Sequence, residues 1–104
     1  MTTLETIDAK SFEEVIKRDG INIVEFWAPW CGPCRILMKN IENSNIGDTA
    51  RVYKVNVDDN EELAANLSIR SVPYLKVYKD GRFEHSHHGQ ISMQILQDTI
   101  NSMK

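Results

Sequence analysis

Residues 21–27 read INIVEFW, a run whose two alternating faces are both largely apolar, with Ile21, Ile23 and Trp27 on one and Val24 and Phe26 on the other. Such a segment suits a strand covered on both sides, in the interior of an α/β sheet. Past residue 30 the period lengthens. Cys34, Leu37, Met38 and Ile41 recur at helical spacing and Pro33 suits a first turn, so a helix is predicted from near Pro33 to beyond residue 40. Upstream, SFEEVIKRDG sets Glu14 three residues after Ser11 as a capping box and closes on Gly20, which predicts a helix over 11–19. Downstream, RVYKVNVD reads as a strand, NEELAANL as a short helix, and PYLKVYKDGRFEHSHH as two strands turning at Asp80-Gly81. The last segment is a helix with Ser92 as N-cap, Ile91 and Leu96 at staple positions, and Leu96, Ile100 and Met103 as its buried stripe. The order β-α-β-α-β-α-β-β-α predicts the α/β fold class with a mixed sheet, with chemistry at the carboxyl end of a central strand.

Composition narrows the function more than the fold. The 104 residues contain no Gly/Ser-rich or Pro-rich linker and no internal repeat, so one domain over 1–104 is expected. Hydrophobic residues at 41% and charged residues at 26% can fill one core without a covalent staple. A net charge of −3 supplies no electrostatic footprint for nucleic acid and no affinity for anionic membranes. MTTLETIDAK has no basic region leading into an apolar run, and the longest apolar stretch, INIVEFWAPWCG, is short and carries Glu25. A cytoplasmic protein is therefore expected. In a reducing compartment a cysteine pair is more often catalytic or metal-binding than structural.

Both cysteines lie in FWAPWCGPCR, at the strand-to-helix junction. A spacing of three residues around a first helical turn lets Cys31 and Cys34 bridge and unbridge with little movement of the chain. Cys31 falls where unpaired backbone N–H groups and the helix dipole favour negative charge, and the thiolate is the attacking species in disulfide exchange. Cys34, one turn in on the apolar face, is more shielded. That assigns attack to Cys31 and resolution of the mixed disulfide to Cys34. Two rivals compete with this reading. Zinc would need further ligands such as His85, His87 and His88, but these lie in a separate strand, far from zinc-finger spacing, and read as a solvated strand end. A purely structural disulfide would close too small a loop to stabilise much.

FWAPWCGPC resembles the active-site segment of the thioredoxin family, with Trp27, Ala28, Trp30, Cys31, Gly32, Pro33 and Cys34 matching its motif, and the resemblance spans nearly the whole chain. Lys54 and Asp58 in KVNVD, Val72-Pro73 and Gly89 match further family positions. The resemblance implies a three-layer α/β/α fold around a central mixed sheet, and a protein-disulfide reductase working through a Cys31–Cys34 disulfide. It implies a cis bond at Pro73, a target surface made by Trp30, Val72, Pro73 and Gly89, and redox tuning by Gly32, Pro33 and Lys54. It also implies no bound cofactor, a thioredoxin reductase drawing on NADPH or ferredoxin, disulfide-containing target proteins, and a monomer.

Departures from the pattern carry expectations of their own. Glu25 stands where the family has a buried aspartate that exchanges the proton of the resolving cysteine; on a strand buried on both faces its pKa is expected to rise, with Lys54 as its partner. Tyr74 follows the proline where a threonine is usual, Ser68 and Ser71 replace glycines, Arg35 replaces a lysine, and Lys39 replaces a helix-kinking proline, so a straighter helix is expected. Two other functions stay open at this level. One is a dithiol oxidase or isomerase, which a reduction potential near the cytosolic poise would exclude. The other is an adapter binding partners through the Trp30/Pro73 surface, for which full partner function without either cysteine would speak.

Overall fold

Burial on both faces makes Ile21–Trp27 the centre of the sheet. The computed structural model describes all residues from Met1 to Lys104. In chain order the elements are β1 (Leu4–Thr6), α1 (Ala9–Val15), β2 (Ile21–Trp27), α2 (Gly32–Glu42), β3 (Arg51–Asn56), α3 (Glu61–Asn66), β4 (Tyr74–Lys79), β5 (Arg82–His88) and α4 (Met93–Ser102), with short 3-10 turns at Ile46–Asp48 and Val57–Asp59. The strands lie in the order β1-β3-β2-β4-β5. β1 and β2 run parallel to β3, while β4 is antiparallel to both β2 and β5, so the sheet is mixed.

Alternation along β2 divides the core in two. Ile21 and Ile23 pack with Leu37 and Ile41 of α2 and Leu96 and Ile100 of α4. Val24 and Phe26 pack on the opposite face with Phe12 and Val15 of α1 and Leu63 of α3. Phe26 meets Phe12 edge-on, with ring centroids 5.8 Å apart. This is the three-layer α/β/α arrangement, and it fixes which side of the sheet each functional group of β2 and α2 occupies.

Most of the predicted elements appear where the pattern put them. Asp80 and Gly81 adopt φ of 52° and 83°, the left-handed pair that a tight hairpin turn between β4 and β5 requires. The Ser92 hydroxyl accepts the Ile95 N–H at 3.1 Å, and Leu96, Ile100 and Met103 are buried. Ser92→Ala is therefore expected to lower stability by about 1 kcal/mol, read as a shift of roughly 5 °C in thermal melting.

The first helix departs from the prediction. It spans Ala9–Val15, because the Asp8 carboxylate accepts the Ser11 N–H at 2.9 Å and becomes the N-cap, leaving Ser11 inside the first turn. That hydrogen bond also holds the Asp8 carboxyl below its ordinary pKa. The helix ends at Val15 and not at residue 19; the turn that follows is held by the Asn22 side-chain amide, which lies 3.2–3.5 Å from the carbonyls of Arg18, Asp19 and Gly20. Helix α2 runs without interruption through Lys39. No helix is long and apolar enough to cross a membrane.

Candidate active site

β2 delivers Trp27 and Ala28 to the carboxyl end of the sheet, and a turn closed by the Cys31 N–H on the Ala28 carbonyl (3.1 Å) leads into α2. Cys31 is the N-cap of that helix. Its Sγ takes the place of the usual capping oxygen and accepts the Cys34 N–H at 3.1 Å. The two cysteines are joined as a disulfide with Cα atoms 5.3 Å apart. Both sulfurs sit in a small apolar cluster with Ala28, against Trp27, Val57 and Val72. Cys34 is 0% exposed and Cys31 4%, so the sequence-based order of shielding holds, and even the leading sulfur is reached only from one side.

That side is bounded by the residues expected to form the target surface. Trp30 is 70% exposed beside the disulfide. The Val72 carbonyl oxygen lies 3.8 Å from Cys31 Sγ, and the Val72–Pro73 peptide is cis. Pro73 itself is buried, so it shapes the surface through its backbone. Its carbonyl accepts the Gly89 N–H at 2.8 Å, which brings the loop after β5 beside the cysteines; Gly89 has φ +79°, open to glycine but strained for other residues. Gly32 is half-buried and Pro33 exposed at the same edge.

One wall of the site was not legible in the sequence. Trp30 and Val72 also line a groove of about 310 Å³ continued by Val57, Asp58, Glu61 and Ile69. No spacing signal links α3 to the cysteines. Ser68 in the adjoining loop has φ 57°, a left-handed conformation that suits the glycine it replaces. Tyr74 lies flat against His88, centroids 4.2 Å apart. Arg35 donates to the Pro29 carbonyl at 2.6 Å and so braces the loop ahead of Cys31.

Glu25 is 0% exposed, on the same face of β2 as Ile21 and Ile23, in the layer that α2 covers. Neither carboxyl oxygen has a hydrogen-bond partner. Burial pushes its pKa from 4.5 up to about 8, and the charge of Lys54 pulls it partly back. Lys54 is its register neighbour on β3, yet the pair makes no ion pair; the only one in the protein joins Arg82 and Glu84. The Lys54 ammonium sits instead over the Trp27 ring, 5.6 Å from its centroid. The expected partnership thus acts through space and not by contact. The three histidines remain on β5, and no group of three or more His, Cys, Asp or Glu residues is placed to hold a metal ion.

A protein-family model described as Thioredoxin matches residues 3–102. A thioredoxin of Porphyra purpurea is 36% identical over 103 residues, covering 97% of this chain and 96% of that one. A thioredoxin of Rhodospirillum rubrum is 42% identical over 77 residues, 72% of this chain and 74% of its own. Among solved structures, chloroplastic thioredoxin z superposes with a TM-score of 0.89 at 26% identity, over 99% of this chain and 96% of that one. The thioredoxin of Malassezia sympodialis does so with a TM-score of 0.82 at 28% identity, over 98% and 91%. With its paired sulfurs at the head of α2 and this likeness along nearly its full length, the chain belongs to the thioredoxin family and is a thiol-disulfide oxidoreductase.

Proposed function

We propose that Cys31 is the nucleophile, Cys34 the resolving thiol and Glu25 the group that takes and returns the resolving proton, in a single-domain, monomeric, cytoplasmic protein-disulfide reductase. The observation that supports this best is the position of Cys31 Sγ as the helix cap, with the Cys34 N–H directed at it from 3.1 Å. The donor and the partial positive charge of the helix end stabilise a thiolate there.

In the reduced protein the Cys31 thiolate attacks one sulfur of a target disulfide. The target S–S bond breaks, its other sulfur leaves and takes a proton, and a mixed disulfide forms. Cys34 then gives its proton to the Glu25 carboxylate and attacks Cys31 Sγ, releasing the second target thiolate, which is protonated in turn. Two electrons and two protons have passed to the target, and the Cys31–Cys34 disulfide remains. Trp30, Val72, Pro73 and Gly89 receive the target chain beside the sulfurs, and Gly32, Pro33 and Lys54 tune them. An external thioredoxin reductase, NADPH- or ferredoxin-linked, restores the dithiol. The protein so passes electrons onward to its targets and maintains cellular thiol balance.

With dithiothreitol as reductant, the protein will accelerate reduction of the insulin interchain disulfides, followed by turbidity of the released chains. A rate equal to that of the reductant alone would reject the proposal.

A further inference from the structure

The loop after β5 is one wall of the proposed target surface, and it is held there with little packing at its tip. A Cβ at Gly89 would meet nothing within 4 Å, and His88 and Gln90 on either side are exposed. His88 stacks on Tyr74 and Ile91 packs on the core at its two ends, and between them the position of Gly89 and Gln90 depends on hydrogen bonds. The Gly89 N–H reaches the Pro73 carbonyl and ties the loop to the sheet. The Gln90 side-chain amide donates to the Pro33 carbonyl at 2.8 Å and ties it to the turn between the two cysteines. The His87 ring Nε2 lies 2.8 Å from the Gln90 carbonyl, which accepts its proton and steadies the backbone at the donor. The Gln90 bond is the only hydrogen bond joining this loop to α2.

We infer that Gln90 is a positioning residue for disulfide exchange: its amide fixes the Gly89 wall relative to Cys31, so that a target chain meets a preformed surface. The inference rests on the reading of Val72, Pro73 and Gly89 as the target surface. Glycine gives the loop a large conformational entropy to lose, and a loop already ordered spares the target that loss on binding. The contribution therefore belongs to binding of an extended target and not to reaction at the sulfur. The chemistry of the tie also dictates the residue. A carbonyl acceptor needs a donor of glutamine's reach; a carboxylate offers none and repels, an aliphatic chain offers none, and an ammonium offers one.

Single-turnover reduction of a disulfide-bonded peptide long enough to lie along the surface separates the half-saturating concentration from the maximal rate. Gln90→Leu and Gln90→Glu will raise the half-saturating concentration about five-fold, the size of one exposed hydrogen bond, with the maximal rate within about two-fold. Gln90→Lys will restore the wild-type value. Reduction of a small aromatic disulfide too short to reach Gly89 will be unchanged in all three, and melting temperatures will agree to within about 2 °C, which distinguishes positioning from loss of the fold. An unaltered half-saturating concentration in Gln90→Leu, or equal losses on the peptide and the small disulfide, would overturn the inference. Failure of wild-type protein on the small disulfide would instead bring down the reading of the cysteines on which it rests.

Discussion

Replacing Cys31 with serine will abolish disulfide reduction, a loss of roughly 10³-fold or more, because a serine hydroxyl is not ionised at neutral pH and cannot form the mixed disulfide. The cap geometry makes the substitution informative. The introduced hydroxyl can still accept the Cys34 N–H, since serine is a favoured N-cap residue, so α2 should persist and the fold with it. Loss of activity then reports chemistry and not unfolding, which circular dichroism of the variant checks. Cys34→Ser makes the complementary case. Attack by Cys31 remains, resolution does not, and the target should accumulate as a covalent adduct visible by non-reducing electrophoresis. Equal insulin reduction by wild type and Cys31→Ser would remove the catalytic assignment, and adducts forming on Cys34 in preference to Cys31 would reverse the roles. A protein carrying both Cys31→Ser and Cys34→Ser addresses the adapter reading, which requires full partner function without either sulfur.

The second large effect concerns Glu25. With a folded pKa of about 8 against an ordinary 4.5, the folded protein holds this proton more tightly than the unfolded chain. Below pH 4.5 both states are protonated and Glu25 has no influence on pH dependence. Between 4.5 and 8 the unfolded carboxyl ionises while the folded one does not, so stability falls as pH rises, and above 8 the loss is complete. The wild-type protein is expected to lose about 5 kcal/mol across that window from this group alone. Glu25→Gln, which cannot ionise, will remove this decline, measured by urea unfolding at a series of pH values. An unchanged slope would show that Glu25 titrates normally in the folded state.

Function should follow the same titration. Resolution of the mixed disulfide in wild type will quicken as the Glu25 carboxylate forms, with an inflection near pH 8. In Glu25→Gln that inflection will vanish and resolution will slow by roughly 10- to 100-fold. The orphaned carboxyl oxygens give this expectation its physical basis: no hydrogen bond anchors either protonation state, so desolvation dominates and keeps the proton near the pH at which a thiol must release its own. Lys54, turned over Trp27, lowers the value only from a distance.

Those features separate into local and non-local ones. The central strand at 21–27, the helix opening at Pro33, the turn at Asp80-Gly81 and the Ser92 cap were all legible in sequence, because side-chain period, turn sterics and capping operate within a few residues. The chemistry of Cys31 and Cys34 was legible for the same reason, since one helical turn brings them together whatever surrounds it. The start of the first helix was misread: the capping-box pattern put the cap at Ser11, whereas the Asp8 carboxylate that reaches the Ser11 N–H is the cap. Tertiary structure alone decided the rest. It placed α3 beside Trp30 to make a groove, turned Lys54 toward Trp27 and left Glu25 without a partner, and brought Gln90 to Pro33 across 57 positions of chain. Such meetings depend on how layers pack around a sheet, and no periodicity within a segment encodes the direction in which a distant segment will arrive.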